Sequence, residues 1–196
     1  MDIKNLNFDE NMSNCYLVNI LDKTYLIDAS VKPSVIKQYT KQLDGVLITH
    51  GHIDHICCVK EIKDAFNCKV YCHKNAIEKI ENNKLNYASA FGIYKDLKLD
   101  EYCVVKEGSK IDDIFKVIET PGHTNCSVCY IVSDVMFSGD MLFNGSIGRT
   151  DLYSGSNKEM RNSIIKLSRI EGDYEVYPGH GEKTRLGIEK RNNPYF

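Results

Sequence analysis

Short apolar runs alternate along this chain with segments whose apolar residues recur every three to four positions, the pattern of an α/β protein. Residues 14–18 and 24–28 read as two strands joined by a turn at Leu21-Asp22-Lys23, with Asp28 closing the second. A helix begins at Pro33, whose fixed φ suits a first helical position. It carries Val35, Ile36, Tyr39 and Leu43 on one face until Gly45 stops it. Residues 46–49 are a buried strand, short, apolar and branched, and after them Ile56, Val59, Ile62 and Phe66 return to helical spacing. Residues 69–72 form another strand, and Ala76, Ile77 and Ile80 mark a further helix. Residues 84–98 carry no assignable period, although Tyr87, Phe91 and Tyr94 predict that the segment packs against something.

Farther along, residues 115–120, 127–132 and 134–137 read as strands, the last two as a hairpin. Residues 144–155 are too rich in Gly and Ser for an element of their own and read as a loop. Ser156-Asn157-Lys158-Glu159 is a capping-box sequence, and Met160, Ile164, Leu167 and Ile170 give the helix behind it an apolar face. Residues 174–177 are the last strand. With no repeat, low-complexity tract or linker, 1–196 is expected to form a single domain, long enough to bury a substantial core.

Four of these strands end alike. Each runs into a tight turn containing Gly or Thr and then into a metal-ligand residue: His50, His123, Asp140 and His180. Three of the six histidines fall within Thr49-His50-Gly51-His52-Ile53-Asp54-His55, at the carboxyl end of a strand, where open α/β sheets place their ligands. Imidazole is the commonest metal ligand, so such crowding asks for a chemical reason. His50, His52, His55, His123 and His180, with Asp54 and Asp140, make seven candidate ligands. Three or four suffice for one zinc, so the number points to two ions, with a carboxylate such as Asp140 placed to bridge them.

Composition narrows the partners. A net charge of −2 without a basic block leaves no electrostatic footprint for nucleic acid or an anionic membrane. The polar amino terminus lacks the apolar core of a secretory signal, and no apolar run approaches membrane-spanning length, so a cytoplasmic location and eight reduced cysteines are expected. Cys126 and Cys129 have redox-motif spacing, yet Cys129 lies inside a strand, which favours a structural reading. His73 follows a strand without a ligand motif and reads as a hydrogen-bonded structural histidine.

His50-x-His52-x-Asp54-His55, His123 in Pro-Gly-His-Thr, Asp140 in Ser-Gly-Asp and His180 in Pro-Gly-His-Gly resemble the metallo-β-lactamase superfamily, specifically its small single-domain glyoxalase II-like hydrolases. The likeness runs from Asn14 to Phe196 and includes Phe143 to Asp151 and the last ten residues. It implies an α/β fold of four-layer αββα sandwich type, the metallo-β-lactamase fold. It further implies that His50, His52 and His123 hold one metal, that Asp54, His55 and His180 hold a second, and that Asp140 bridges. Two divalent ions follow, with zinc favoured over iron or a zinc and iron mixture. Such a pair lowers the pKa of a shared water from about 15.7 to roughly 7 and polarises a carbonyl, with Asp54 a candidate to orient the hydroxide. The implied substrate is a small acyl-thioester such as an S-2-hydroxyacyl thiol, whose thiolate leaves with little help from an acid.

The chain departs from the full-length glyoxalase II pattern. Sixteen residues follow His180, so the helical carboxyl-terminal domain that helps bind glutathione in those enzymes is not expected, and the thiol carrier stays open. Ala29-Ser30 and Asn125-Cys126 stand where the family usually has Pro-Gly. Arg149 resembles a basic substrate-contacting residue of relatives and would pair a substrate carboxylate; a solvated loop arginine is the other reading. Asp28 either orients a ligand histidine or caps its turn. The rival function is a persulfide dioxygenase of the same fold, with one iron on His50, His123 and Asp140. Hydrolysis is favoured because the second-site groups persist, and a non-catalytic metal or redox module explains none of the spacing.

Overall fold

Between residues 16 and 27 the chain doubles back as its alternation dictates: β2 (Tyr16–Ile20) pairs antiparallel with β3 (Lys23–Ile27), Tyr16 opposite Ile27. The computed structural model describes residues 1–7 and 12–196, which fall into two compact units, Met1–Val104 and Val105–Phe196. The first is built on a six-stranded sheet in the order β1-β2-β3-β4-β5-β6, adding β1 (Asp2–Asn5), β4 (Gly45–Leu47), β5 (Lys69–His73) and β6 (Cys103–Val105). β3, β4 and β5 run parallel, so Asp28 and Thr49, just past β3 and β4, emerge at one sheet edge. The helices here are α1 (Pro33–Ile36), α2 (Ile53–Ile56), α3 (Val59–Phe66) and α4 (Lys74–Ile80).

Three expectations are corrected in this unit. The helix from Pro33 stops at Ile36, and its tail tightens into i+3 turns (Gln38 N–H to Val35 O, Tyr39 N–H to Ile36 O), where the Thr40 hydroxyl competes by bonding Gln42 O. Tyr39 is left exposed, with Lys4 Nζ 4.6 Å from its ring centroid. The helical pattern from Ile56 is broken at Cys57-Cys58 into α2 and α3. Residues 84–98 hold only a 3-10 turn, Ala88–Phe91, and Phe91 and Tyr94 are exposed. Polar and small groups anchor the segment instead: Asn86 and Ala88 are fully buried, and the Asn83 side chain bonds both the carbonyl and the N–H of Lys95.

In the second unit the sheet order is β14-β13-β10-β9-β8-β7. Its strands are β7 (Lys110–Ile111), β8 (Phe115–Glu119), β9 (Val128–Val132), β10 (Val135–Gly139), β13 (Glu175–Pro178) and β14 (Thr184–Arg185). β9 is antiparallel to both β8 and β10, and β13 is parallel to β10. β8, β10 and β13 therefore run the same way, and the chain leaves each of them at the same edge. Leu142–Phe143 (β11) and Ser146–Ile147 (β12) pair as a small ribbon, the second strand of which lies inside the 144–155 segment that composition alone predicts to be loop. Gly145, at φ 71° between them, lets the chain double back in so short a ribbon. β14 and α6 (Leu186–Asn192) had no sequence prediction.

α5 (Asn157–Ser168) packs Met160, Ile164 and Leu167 into a core with Ile118, Cys129, Ile131, Met136 and Val176. Burial of each such side chain contributes roughly 1.5 to 3 kcal/mol before ordering entropy is subtracted. Only half of the predicted capping box forms. Ser156 Oγ accepts the Glu159 N–H at 3.3 Å, but the Ser156 N–H donates to Gly122 O at 2.8 Å instead of meeting the Glu159 side chain. That bond, with the Ser163 hydroxyl donating to Pro121 O at 2.7 Å, fastens the Pro-Gly-His turn to α5. Gly122 has φ 150° and packs on the backbone of Met160, so a Cβ there would collide with main chain that cannot move aside.

All eight cysteines are free thiols. Burial raises Cys15 and Cys129 from 9.0 to about 12. A thiol that holds its proton longer when folded favours the fold below the unfolded pKa, and that contribution is lost as pH rises toward the folded one. Folding stability should therefore decline between pH 9 and about pH 12. Thermal unfolding across that range, repeated on Cys129→Ala, checks it: a wild-type slope equal to that of the variant would remove Cys129 as a cause. Among the described residues no helix is long and apolar enough to cross a membrane.

Candidate metal centre

In the first unit, donors gather just beyond β4. His50 lies past the strand's end, His52 caps α2 in extended conformation, and Asp54 and His55 occupy the first turn of α2. His50, His52 and His55 are buried, and Asp54 is partly exposed. His50 Nε2 is 3.2 Å from His52 Nδ1, and His55 Nε2 is 3.6 Å from Asp54 Oδ2. His50 and His55 also bring ligand atoms within 4.8 Å of one another.

Asp28 organises this set. It is 2% exposed, and its backbone holds φ 60°, a left-handed conformation that Asp tolerates better than most residues. Its carboxylate accepts the Thr49 N–H at 2.8 Å, the Thr49 hydroxyl at 2.8 Å and the His55 Nδ1–H at 2.7 Å. A carboxylate only accepts, so the proton of His55 sits on Nδ1 and the lone pair on Nε2, the atom facing Asp54. The Thr49 hydroxyl gives its proton to Asp28 and accepts from His50 Nδ1 at 3.2 Å, which leaves the lone pair of His50 on Nε2. Ser13 fixes the next residue by donating its hydroxyl to Asp54 O at 2.9 Å. Tyr87, also left-handed at φ 68°, sets its ring edge-on to His52 at 5.4 Å between centroids.

In the second unit, His123, Asp140 and His180 follow β8, β10 and β13. Asp140 Oδ2 is 3.4 Å from His123 Nε2 and 3.7 Å from His180 Nε2. His123 Nδ1–H donates to the Arg149 carbonyl at 2.8 Å, which again turns an Nε2 lone pair inward. Gly148, one residue earlier, passes so close to Asp140 O and His123 Cβ that any side chain would strike them. The Arg149 guanidinium itself turns away to an exposed bidentate pair with Asp151, both bonds 2.7 Å, which holds the Asp151 carboxyl at about 2. Phe143 lies edge-on to His180 at 6.3 Å between centroids.

These separations discriminate between structural hydrogen bonds and metal donors. Three of the four, at 3.4 to 3.7 Å, exceed the usual hydrogen-bond range. Two donors on one tetrahedral zinc, each about 2.05 Å from it, lie about 3.3 Å apart. The histidine and aspartate set therefore fits a divalent metal, in donor chemistry and in spacing.

The profile of the Metallo-beta-lactamase superfamily matches residues 8–180. The chain belongs to this superfamily. It has the metallo-beta-lactamase fold and belongs to a metallo-hydrolase superfamily whose members bind divalent metals. It is 32% identical to the probable metallo-hydrolase YqgX of Bacillus subtilis (strain 168), over 94% of this chain and 92% of that protein. It is 31% identical to the hydroxyacylglutathione hydrolase GloC of Haemophilus influenzae, over 93% and 92%. The solved structure of TTHA1623 in a di-iron-bound form superposes with a TM-score of 0.89 at 30% identity, covering 98% of this chain and all of that one.

Around the candidate donors, sequence reasoning missed Thr49, Ser13, Tyr87 and the Arg149 carbonyl. Thr49 carried a usable signal, a hydroxyl directly before a ligand histidine. The carbonyl carried none, since every residue has one. His73, read as structural, caps α4 by accepting the Asn75 N–H at 3.2 Å. Cys126 and Cys129 are buried; Cys129 Sγ lies 3.4 Å from Thr120 Oγ1, and Cys126 Sγ lies 3.2 Å from Thr124 Oγ1.

Proposed function

We propose that this protein is a dinuclear metal-dependent thioesterase of glyoxalase II type, acting on a small acyl-thioester such as an S-2-hydroxyacyl thiol. The observation that carries the reading is the position of Asp140, one carboxylate oxygen lying 3.4 and 3.7 Å from the ring nitrogens of two histidines that family resemblance assigns to different ions, the spacing expected between neighbouring donors. His50, His52 and His123 would hold the first ion and Asp54, His55 and His180 the second, with zinc favoured and iron or a mixture as the alternative. When bound, the ions supply a water that ionises near neutral pH and a Lewis acid for the carbonyl. The name of the GloC relative supports the thioester, and the di-iron form of TTHA1623 supports a site for two ions.

The chain's own residues do the rest. Asp28, Thr49 and the Arg149 carbonyl set the tautomers of His55, His50 and His123, so that lone pairs and not N–H groups face the donors beside them. Asp54 Oδ2, beside His55 Nε2, is placed to accept a proton from the attacking water and so aim it. Arg149 would take a substrate carboxylate by exchanging it for Asp151, and exposed pairs of that kind are weak enough to exchange.

Zinc-loaded and iron-loaded protein should both be assayed for thiol release from S-lactoylglutathione, from acyl esters of other small thiols and from acyl-coenzyme A, and for oxygen uptake with glutathione persulfide. Thiol release without oxygen uptake is expected, rising with pH through a limb at roughly 6 to 8 as the water ionises. Oxygen uptake by the iron form with no thioester cleavage by either form would overturn the proposal in favour of a dioxygenase.

A further inference from the structure

Where α2 gives way to α3, Cys57 and Cys58 face one another with their Sγ atoms 3.7 Å apart. Adjacent residues of a continuous helix point about 100° apart, so such a pair does not converge there. Here Cys57 ends α2 at φ −57° and ψ −19°, whereas Cys58 opens α3 at φ −116° and ψ 9°. That break turns the two sulfurs together. The backbone around them is pinned: the Cys58 N–H donates to Ala29 O at 2.9 Å, and Lys95 Nζ donates to Cys57 O at 2.9 Å while pairing with Glu61 at 3.1 Å. Cys57 Sγ also lies 3.6 Å from Ser30 O and 3.8 Å from Ala29 O. Neither sulfur belongs to the histidine and aspartate donor set.

Buried cysteine often serves only as a small hydrophobe, and a packing role asks nothing of the angle between two sulfurs. A soft centre does. One that binds sulfur at about 2.3 Å and spans the observed 3.7 Å closes an S–centre–S angle of roughly 107°, near the tetrahedral value. Thiolates select soft centres over the harder ions that imidazole and carboxylate hold, so the two sets of donors would not compete for the same ligand.

We propose that Cys57 and Cys58 form a dithiol site for a thiophilic metalloid or soft metal centre, held by both sulfurs at once. With phenylarsine oxide as the probe, two As–S bonds form, the oxo group leaves as water carrying both thiol protons, and no electrons are transferred.

The test treats the zinc-loaded protein with one equivalent of phenylarsine oxide, quenches it in denaturant with excess alkylating reagent, and maps the peptides. Cys57 and Cys58 should be blocked together while the other six of the eight thiols are alkylated. The wild type alone can decide the matter, since alkylation of both residues to the untreated extent, or blocking at Cys126 and Cys129 instead, would overturn the proposal. Cys58→Ser should weaken uptake at least about 100-fold, because the second bond is intramolecular, whereas Cys126→Ser should leave it unchanged. Undiminished uptake by folded Cys58→Ser would also overturn it. None of these results depends on which substrate the metal centre cleaves.

Discussion

Asp140→Ala should remove at least one of two bound ions and lower thioester hydrolysis by more than about 100-fold, beyond the 10- to 100-fold that loss of an outer-shell partner gives. Asp140 follows β10, the strand that runs parallel to the one delivering His180, and its Oδ2 faces His180 and His123 alike. Alanine there leaves two cations with less negative charge between them and each with a vacant position. The fold should survive, because the β10 pairing with β9 and β13 and the core under α5 are untouched. Two comparison variants separate a ligand from a merely buried group. Cys126→Ser alters a buried thiol, and His73→Asn replaces one helix cap by another. Metal content by elemental analysis, circular dichroism and turnover should single out Asp140→Ala; equal losses in all three would sink the bridging role.

Asp28 yields the second large effect, and two substitutions divide it. Asp28→Ala strips the acceptor from the Thr49 N–H, the Thr49 hydroxyl and the His55 Nδ1–H, all inside the fold. Each buried group left without a partner costs about 1 to 3 kcal/mol, so for the three together a loss of at least roughly 3 kcal/mol of folding stability is expected. Asp28→Asn keeps an acceptor for the Thr49 N–H and tolerates the left-handed backbone. Its amide then donates to His55 Nδ1, driving the ring proton to Nε2, the nitrogen that should carry the lone pair. The metal-free Asn variant should melt near the wild type yet bind the ion at His55 about 10- to 100-fold more weakly. Chelator competition measures the affinity and thermal unfolding the stability. Wild-type metal affinity in Asp28→Asn would show that the carboxylate serves only the turn.

The five-residue strands and the α5 face were legible in the sequence, as were the histidine and aspartate candidates as candidates, because alternation, helical spacing and strand-end Gly or Thr turns are local properties. The superfamily and its fold were legible for the same reason: spaced motifs at strand ends are a one-dimensional record of which residues meet at a sheet edge. What proved illegible was non-local. The aromatic residues at 91 and 94 are exposed, and Asn83 and Asn86 anchor that segment instead, through side-chain hydrogen bonds that no hydropathy pattern reports. The turn of the ribbon β11–β12 bonds, through the Gly145 N–H, the buried Glu189 carboxylate 44 residues away, a partner that no local pattern announces.

Around the candidate centre the same division holds. The sequence by itself determined which side chains can donate to a metal, since imidazole and carboxylate chemistry belongs to the residue. Only the tertiary structure decided which ring nitrogen of His50, His55 and His123 presents its lone pair. That choice depends on a carboxylate after β3, a hydroxyl before His50 and the carbonyl of Arg149, each brought to its histidine by the fold. The meeting of Cys57 with Cys58 was likewise decided by a helix break, because adjacency in the chain does not make two side chains converge.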